Sequence, residues 1–205
     1  IDPGFDVDRI VSAPLSINLL RYTSDQGREF YRQIIERAQR VPGVEAASVA
    51  RVPMLNGTAR MLGFLVEGQP GPEADFVFSE GGAITRNRNQ INANVVSPGF
   101  FRTMGIPIMT GRDFGDQDSA NSPLVVVINE ATAKMHFGNA NPLGERVSFR
   151  GRRGPWYEIV GVVGDSKYAA VGEERARMVF MPVAQNHETG MTLYVRTSVP
   201  PEAVI

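Results

Sequence analysis

The feature that most constrains the fold lies within the first 53 residues. From Gly27 to Arg40, apolar side chains recur at Phe30, Ile34, Ala38 and Val41, with Tyr31 and Ile35 widening the stripe. That spacing predicts a helix with one apolar face. Ser24 or Asp25 offers an N-cap and Pro42-Gly43 a stop. Arg32–Glu36 and Glu36–Arg40 are i,i+4 charge pairs on the outer face. Before the helix, Arg9–Leu20 reads as a strand interrupted or bulged at Pro14. After it, Val44–Val52 reads as a strand that Pro53 ends. A one-sided helix between two strands must cover a sheet, so the chain opens with a β–α–β unit.

The remaining sequence predicts short strands at Met61–Val66, Ile91–Val96, Ile106–Met109, Leu124–Ile128, Met178–Met181 and Met191–Arg196. Arg146–Phe149 and Tyr157–Val163 read as a hairpin around a Gly151–Gly154 tip. Leu124–Ile128 is apolar throughout, as in a strand buried on both faces. Ser97 is expected to cap a short helix with Pro98 at its first position, running to Met104 before Gly105. Asn129 is expected to cap a helix through Phe137, ended by Gly138. Gln69–Arg88 is a polar, Gly- and Pro-bearing connection, and Gly111–Asn121 a polar loop. A second β–α unit opens at Met191, with Pro201-Glu202 as the first turn of a helix the chain cuts short. The fold class is α+β.

Composition narrows function by exclusion. The 205 residues carry a net charge of -1, which argues against nucleic acid as a partner. Arg150, Arg152 and Arg153 are read as a solvated hairpin tip. Without cysteine there is no disulfide and no thiolate metal site. The longest apolar runs are strand-sized, short of the roughly 20 residues of a membrane helix. His136 and His187 lack metal-ligand spacing. Asp113, Asp116 and Asp118 lack the Gly and the terminal Glu of a calcium loop and are read as a turn. Gly161–Lys167 lacks phosphate-loop spacing, and Asn56-Gly57-Thr58 is read as a turn. No serine-nucleophile signature occurs; a cluster of Ser166, His136 and an acid would reopen a hydrolase reading. The expectation is therefore no catalytic, cofactor-binding or metal residue, no cofactor, and work by binding or by transmitting motion.

Three groups of segments, in order, carry a resemblance. The first is Asp2-Pro3-Gly4-Phe5-Asp6, then Pro42-Gly43-Val44 and Ala50-Arg51-Val52-Pro53. The second is Val96-Ser97-Pro98-Gly99-Phe100-Phe101-Arg102-Thr103-Met104-Gly105-Ile106, then Gly111-Arg112-Asp113-Phe114. The third is Val126-Val127-Ile128-Asn129-Glu130, Phe137-Gly138, Asn141-Pro142-Leu143-Gly144 and Ile159-Val160-Gly161-Val162-Val163. This series resembles the MacB-like periplasmic core domain of bacterial ABC-transporter permeases of the MacB/FtsX superfamily, especially the ADOP-type predicted permeases.

The resemblance implies a Porter-like subdomain of β–α–β units, residues 1–68 and 178–205, the second unit truncated. A Sabre-like α+β subdomain, residues 69–177 including the long connecting loop, is inserted between them. It implies a non-catalytic domain outside the bacterial inner membrane, exposed to the periplasm and carried between two transmembrane helices, that transmits ATP-driven motion (mechanotransmission) during export. The implied partners are those helices, a cytoplasmic ATP-binding subunit or domain, and a periplasmic adaptor. The parent permease is expected to be a homodimer and the isolated domain a monomer. Phe100, Phe101, Met104 and Phe114 are read as core of the insert. The alternative is a periplasmic ligand-binding sensor module for a peptide, lipid or drug.

Overall fold

A computed structural model describes residues 4–5, 8–18, 21–54, 60–69, 90–167 and 176–200. The sequon at Asn56, residues 70–89 of the long connection and the helix expected after Pro201 lie outside them.

The opening unit is a split one. Strand β1 (Ile10–Ser16) leads through helix α1 (Ser24–Gln39) to β2 (Val44–Ala50). The last strand, β11 (Gly190–Thr197), lies between β1 and β2 and runs antiparallel to both. Strands β1 and β2 are therefore parallel, one strand apart. Pro14 neither breaks nor bulges β1, because the register with β11 runs unshifted from Ile10 to Ser16. At a sheet edge the missing N–H faces no further strand. The N-cap of α1 is Thr23, one residue earlier than expected. Its hydroxyl accepts from Gln26 N–H at 3.3 Å, and Gln26 Oε1 accepts from Thr23 N–H at 2.9 Å. This capping box satisfies two groups at once.

The other strands are β3 (Arg60–Gly63), β4 (Leu65–Val66), β5 (Gln90–Val96), β6 (Ile108–Gly111), β7 (Val125–Asn129), β8 (Arg146–Ser148), β9 (Trp156–Val163) and β10 (Met178–Pro182). The sheet order is β1-β11-β2-β5-β10-β7-β9-β8-β4, with β3 beside β5 and β6 beside β9. The strand expected over Met61–Val66 is two strands with different partners, β5 and β8, parted at buried Phe64. Strands β3, β4 and β10 thus pair with strands of the 69–177 segment.

Alternation along the central strands splits the core in two. Val126, Ile128, Val179 and Met181 face one side, where α1 and α3 (Glu130–Phe137) contribute Tyr31, Ile35, Ala133 and Phe137. Val125, Val127, Met178 and Phe180 face the other, over α2 (Phe100–Met104). Strand β7 is buried on both faces as its composition predicts. Helix α2 starts later than expected. Gly99, at φ 78°, is its N-cap, and the Ser97 hydroxyl accepts instead from Val49 N–H at 2.9 Å. A left-handed residue there needs glycine. Among the described residues no helix is long and apolar enough to cross a membrane.

The sheet is thinnest between β2 and β5. Only Ala50 and Val96 form a ladder pair there. Backbone bonds flank it, Arg51 N–H to Val95 O and Ser97 N–H to Val49 O, both 2.9 Å. Beyond them side chains take over. The buried Asn94 carboxamide accepts from Val52 N–H at 2.8 Å and donates to Val52 O at 3.0 Å, as a strand backbone would. Strand β5 then leaves β2 and pairs with β3.

Candidate functional site

The acidic group 113–118 is a built turn. Both Asp118 oxygens accept from the Arg112 guanidinium, at 2.7 and 2.9 Å, and one also accepts from Gly115 N–H. Burial pushes the Asp118 pKa up, but these bonds outweigh it and hold the carboxyl below its ordinary value. Asp113 accepts from Phe114 and Gly99 N–H groups, and burial raises its pKa. Among the described residues no cluster of His, Asp or Glu could hold a metal ion.

His136 sits half-buried on α3 with its ring 4.5 Å from that of Phe64. Burial, with Arg177 nearby, lowers its pKa to about 4. Among the described residues its Nε2 has no partner. His187 lies against α1, where a Cβ on Gly27 would meet its Cε1 at 2.4 Å. Ser166 is buried, and no hydrogen bond joins it to His136 among the described residues. Asp165 serves another purpose: its Oδ1 accepts from Asn129 Nδ2 at 2.7 Å and from Ala131 N–H at 2.9 Å, at the start of α3. Asn129 caps α3 and also receives Met178 N–H at 2.9 Å. Residues Gly161–Val163 are strand, and no helix follows at 164–167. Arg150, Arg152 and Arg153 are exposed at a 3-10 turn. Phe100, Phe101, Met104 and Phe114 are buried core around Phe180 and Tyr194.

Two surface grooves collect polar groups, the first from residues that local sequence does not connect. At the β2–β5 seam, Glu188 accepts from Arg51 Nε at 2.8 Å and from Arg60 Nη1 at 3.1 Å, beside a groove of about 760 Å³. These residues lie up to 137 positions apart, so no motif could have grouped them. The second is a groove of about 490 Å³ between α1 and the 115–119 turn, flanked by Tyr31, Ile35, Ser97, Pro98 and Val183. Its rim holds Arg32 between Glu29 and Glu36, and the Glu29 pKa falls to about 2 because Arg32 and Gln33 donate to it.

The two ends of the described sheet emerge together. Thr197 N–H donates to Arg9 O at 2.9 Å, Ser198 N–H donates to Gly43 O at 2.8 Å, and Arg196 Nε donates to Thr103 O at 2.8 Å. The exit strand is thus tied to the entry strand, to the α1–β2 turn and to α2.

Comparison with known proteins places this arrangement. The chain is 33% identical over 91 residues to the macrolide export ATP-binding/permease protein MacB of Aggregatibacter actinomycetemcomitans, 43% of this chain and 14% of that protein. It is 25% identical over 128 residues to the MacB of Neisseria gonorrhoeae, 58% of this chain and 19% of that protein. The chain therefore spans less than a fifth of the length of these relatives. The crystal structure of the periplasmic region of MacB from Actinobacillus actinomycetemcomitans superposes with a TM-score of 0.57 at 15% identity, over 98% of this chain and 80% of that one. The extracellular domain of the noncanonic ABC-type transporter YknZ from Gram-positive bacteria gives 0.53 at 16% identity, over 93% and 84%. Residues 9–205 match the family model itself, and the chain belongs to the MacB-like periplasmic core domain family.

Proposed function

We propose that this chain is the non-catalytic extracytoplasmic domain of an inner-membrane ABC-transporter permease and carries ATP-driven motion from the membrane to export partners. The observation that carries this reading is the side-by-side exit at Arg9 and Thr197. Membrane helices continuing from the two ends would grip neighbouring strands, and β11 would pass their displacement to α2 and β2. Its partners are those helices, a cytoplasmic ATP-binding subunit and a periplasmic adaptor, in a homodimeric permease. We divide the chain at the thin β2–β5 seam, which puts residues 60–66 and 178–182 with the inserted part. The test is a spin label at exposed Arg152 in the intact transporter. The distance between copies should change between the nucleotide-free and vanadate-trapped states, and an unchanged distance sinks the reading.

A second reading, a ligand sensor, is favoured by the groove along α1, which combines apolar walls with a charged rim. It predicts a label shift on adding ligand without ATP.

A further inference from the structure

We infer that the groove at the β2–β5 seam is a binding site for a carboxylate-bearing ligand, held by Arg51 and Arg60, with Glu188 as its internal occupant. This goes beyond the transport reading and does not depend on it.

The two arginines arrive from different places. Arg51 follows the end of β2, and its N–H bonds Val95 O. Arg60 opens β3 opposite Ala93. Val95 and Ala93 point to the same face of β5, so both arginine positions lie on that face. Glu188 comes from the connection between β10 and β11 and bridges the two guanidiniums, one oxygen to each.

The bridge leaves each arginine partly used. Arg112 on Asp118, Arg146 on Glu67 and Arg32 on Glu29 each close a two-bond fork on one carboxylate, whereas Arg28 meets Asp25 through Nη2 alone. Two parallel N–H···O bonds are the strong arrangement for this pair of groups. Arg51 spends only Nε on Glu188 and Arg60 only Nη1. Among the described residues, Nη1 and Nη2 of Arg51 and Nε and Nη2 of Arg60 have no acceptor. Each guanidinium keeps a whole fork unused.

Charge and shape agree. Two cations face one anion, leaving the cluster at +1. The Glu188 side chain is 19% exposed, while those of Arg51 and Arg60 are 36% and 41% exposed, so the unused donors remain reachable. The groove is lined further by Asn18 and Thr189, which can hydrogen-bond the rest of a polar ligand. At about 760 Å³ it exceeds one carboxyl group several-fold and suits a di- or tricarboxylate or an acidic side chain. Because β2 and β3 follow one another along the same edge of β5, such a ligand would bridge the end of β2 to the start of β3.

Glu188 makes the test directional. Replacing it removes the competing carboxylate and raises the cluster to +2, so E188Q should bind a carboxylate more tightly than the parent chain. Calorimetric titration of the 205-residue chain with citrate, at matched ionic strength against chloride, should show saturable binding. We expect about tenfold tighter binding by E188Q and loss of binding in R51Q/R60Q. Thermal melts check that the double variant folds; if it does not, the comparison of E188Q with the parent chain decides alone. Binding by E188Q only supports the site, with Glu188 filling it in the parent. An acetylated, amidated tetraglutamate peptide run beside citrate distinguishes a protein side chain from a free acid as the source. No binding by either protein, binding unchanged in a folded R51Q/R60Q, or tighter binding of inorganic phosphate than of citrate overturns the proposal.

Discussion

The backbone N–H of Thr197 donates to the carbonyl of Arg9 at 2.9 Å, joining the first and last described strands where both leave the sheet. The Thr197 side chain is fully buried and its hydroxyl reaches the same carbonyl at 3.4 Å. T197V keeps the shape and removes only that weak bond, so it should cost no more than about 1 kcal/mol in denaturant unfolding. T197P removes the backbone donor and should fray the exit strand, read as faster amide exchange across residues 191–197 with slow exchange kept at 125–129.

Asn129 is the buried junction of β7, α3, β10 and Asp165. N129A removes one of the two acceptors of Met178 N–H, leaving Thr132 Oγ1 at 3.0 Å, and uncaps α3, and should cost roughly 1–3 kcal/mol. N129D sets a second carboxylate against Asp165. Its pKa in the fold would be raised by that neighbour and by burial. The folded form of this variant then holds a proton that the unfolded form releases, so its stability should decline as pH rises above about 4, the ordinary carboxylate range. Urea midpoints between pH 4 and 7 read this against the parent protein.

His136 gives a pH effect of the opposite sign. Its pKa is lowered from 6.5 to about 4, so between those values the unfolded chain binds the proton and the folded chain does not. Stability should be complete above about pH 6.5 and fall as pH drops toward 4. H136F should flatten this part of the profile. An unchanged slope in H136F would place the effect elsewhere.

Gly27 lies within α1, where alanine is ordinarily better by about 1 kcal/mol. Here an added Cβ would meet His187 Cε1 at 2.4 Å and Ile17 Cδ1 at 2.9 Å. G27A should therefore destabilise the protein. H187A should recover part of the loss, which a double-mutant cycle measures as a coupling of at least about 0.5 kcal/mol.

The 113–118 turn should ignore calcium. Both Asp118 oxygens are engaged by Arg112, and the Asp113 oxygens receive backbone N–H groups. Calcium or EDTA should leave the melting temperature in place. R112Q should lower stability by about 1–3 kcal/mol, because it leaves the carboxylate of Asp118, 3% exposed, without its cation. A calcium-dependent rise in melting temperature would contradict the turn.

Elements with local signals were legible. Helix α1, the Asn129 cap and the all-apolar run at β7 follow from neighbours within a few residues and appear where expected, although the face α1 buries runs through Gly27, Tyr31 and Ile35 and Val41 is exposed. What escaped depends on distant partners. Pro14 reads as a break only until β1 is known to be an edge strand. Ser97 looks like a helix cap because nothing near it predicts that Val49, 48 positions away, claims its hydroxyl. The seam cluster was invisible for the same reason: Arg51, Arg60 and Glu188 are ordinary surface residues until β5 and the β10–β11 connection bring them together.

The position of β11 between β1 and β2 has a consequence for synthesis. The opening strands emerge first, but the slot between them stays vacant until residues 190–197 have been made. All the residues between β2 and β11 must be made before that part of the sheet can close. Strands β1 and β2 then wait for a partner made more than a hundred residues later, and in the meantime the edges facing the slot need protection from aggregation.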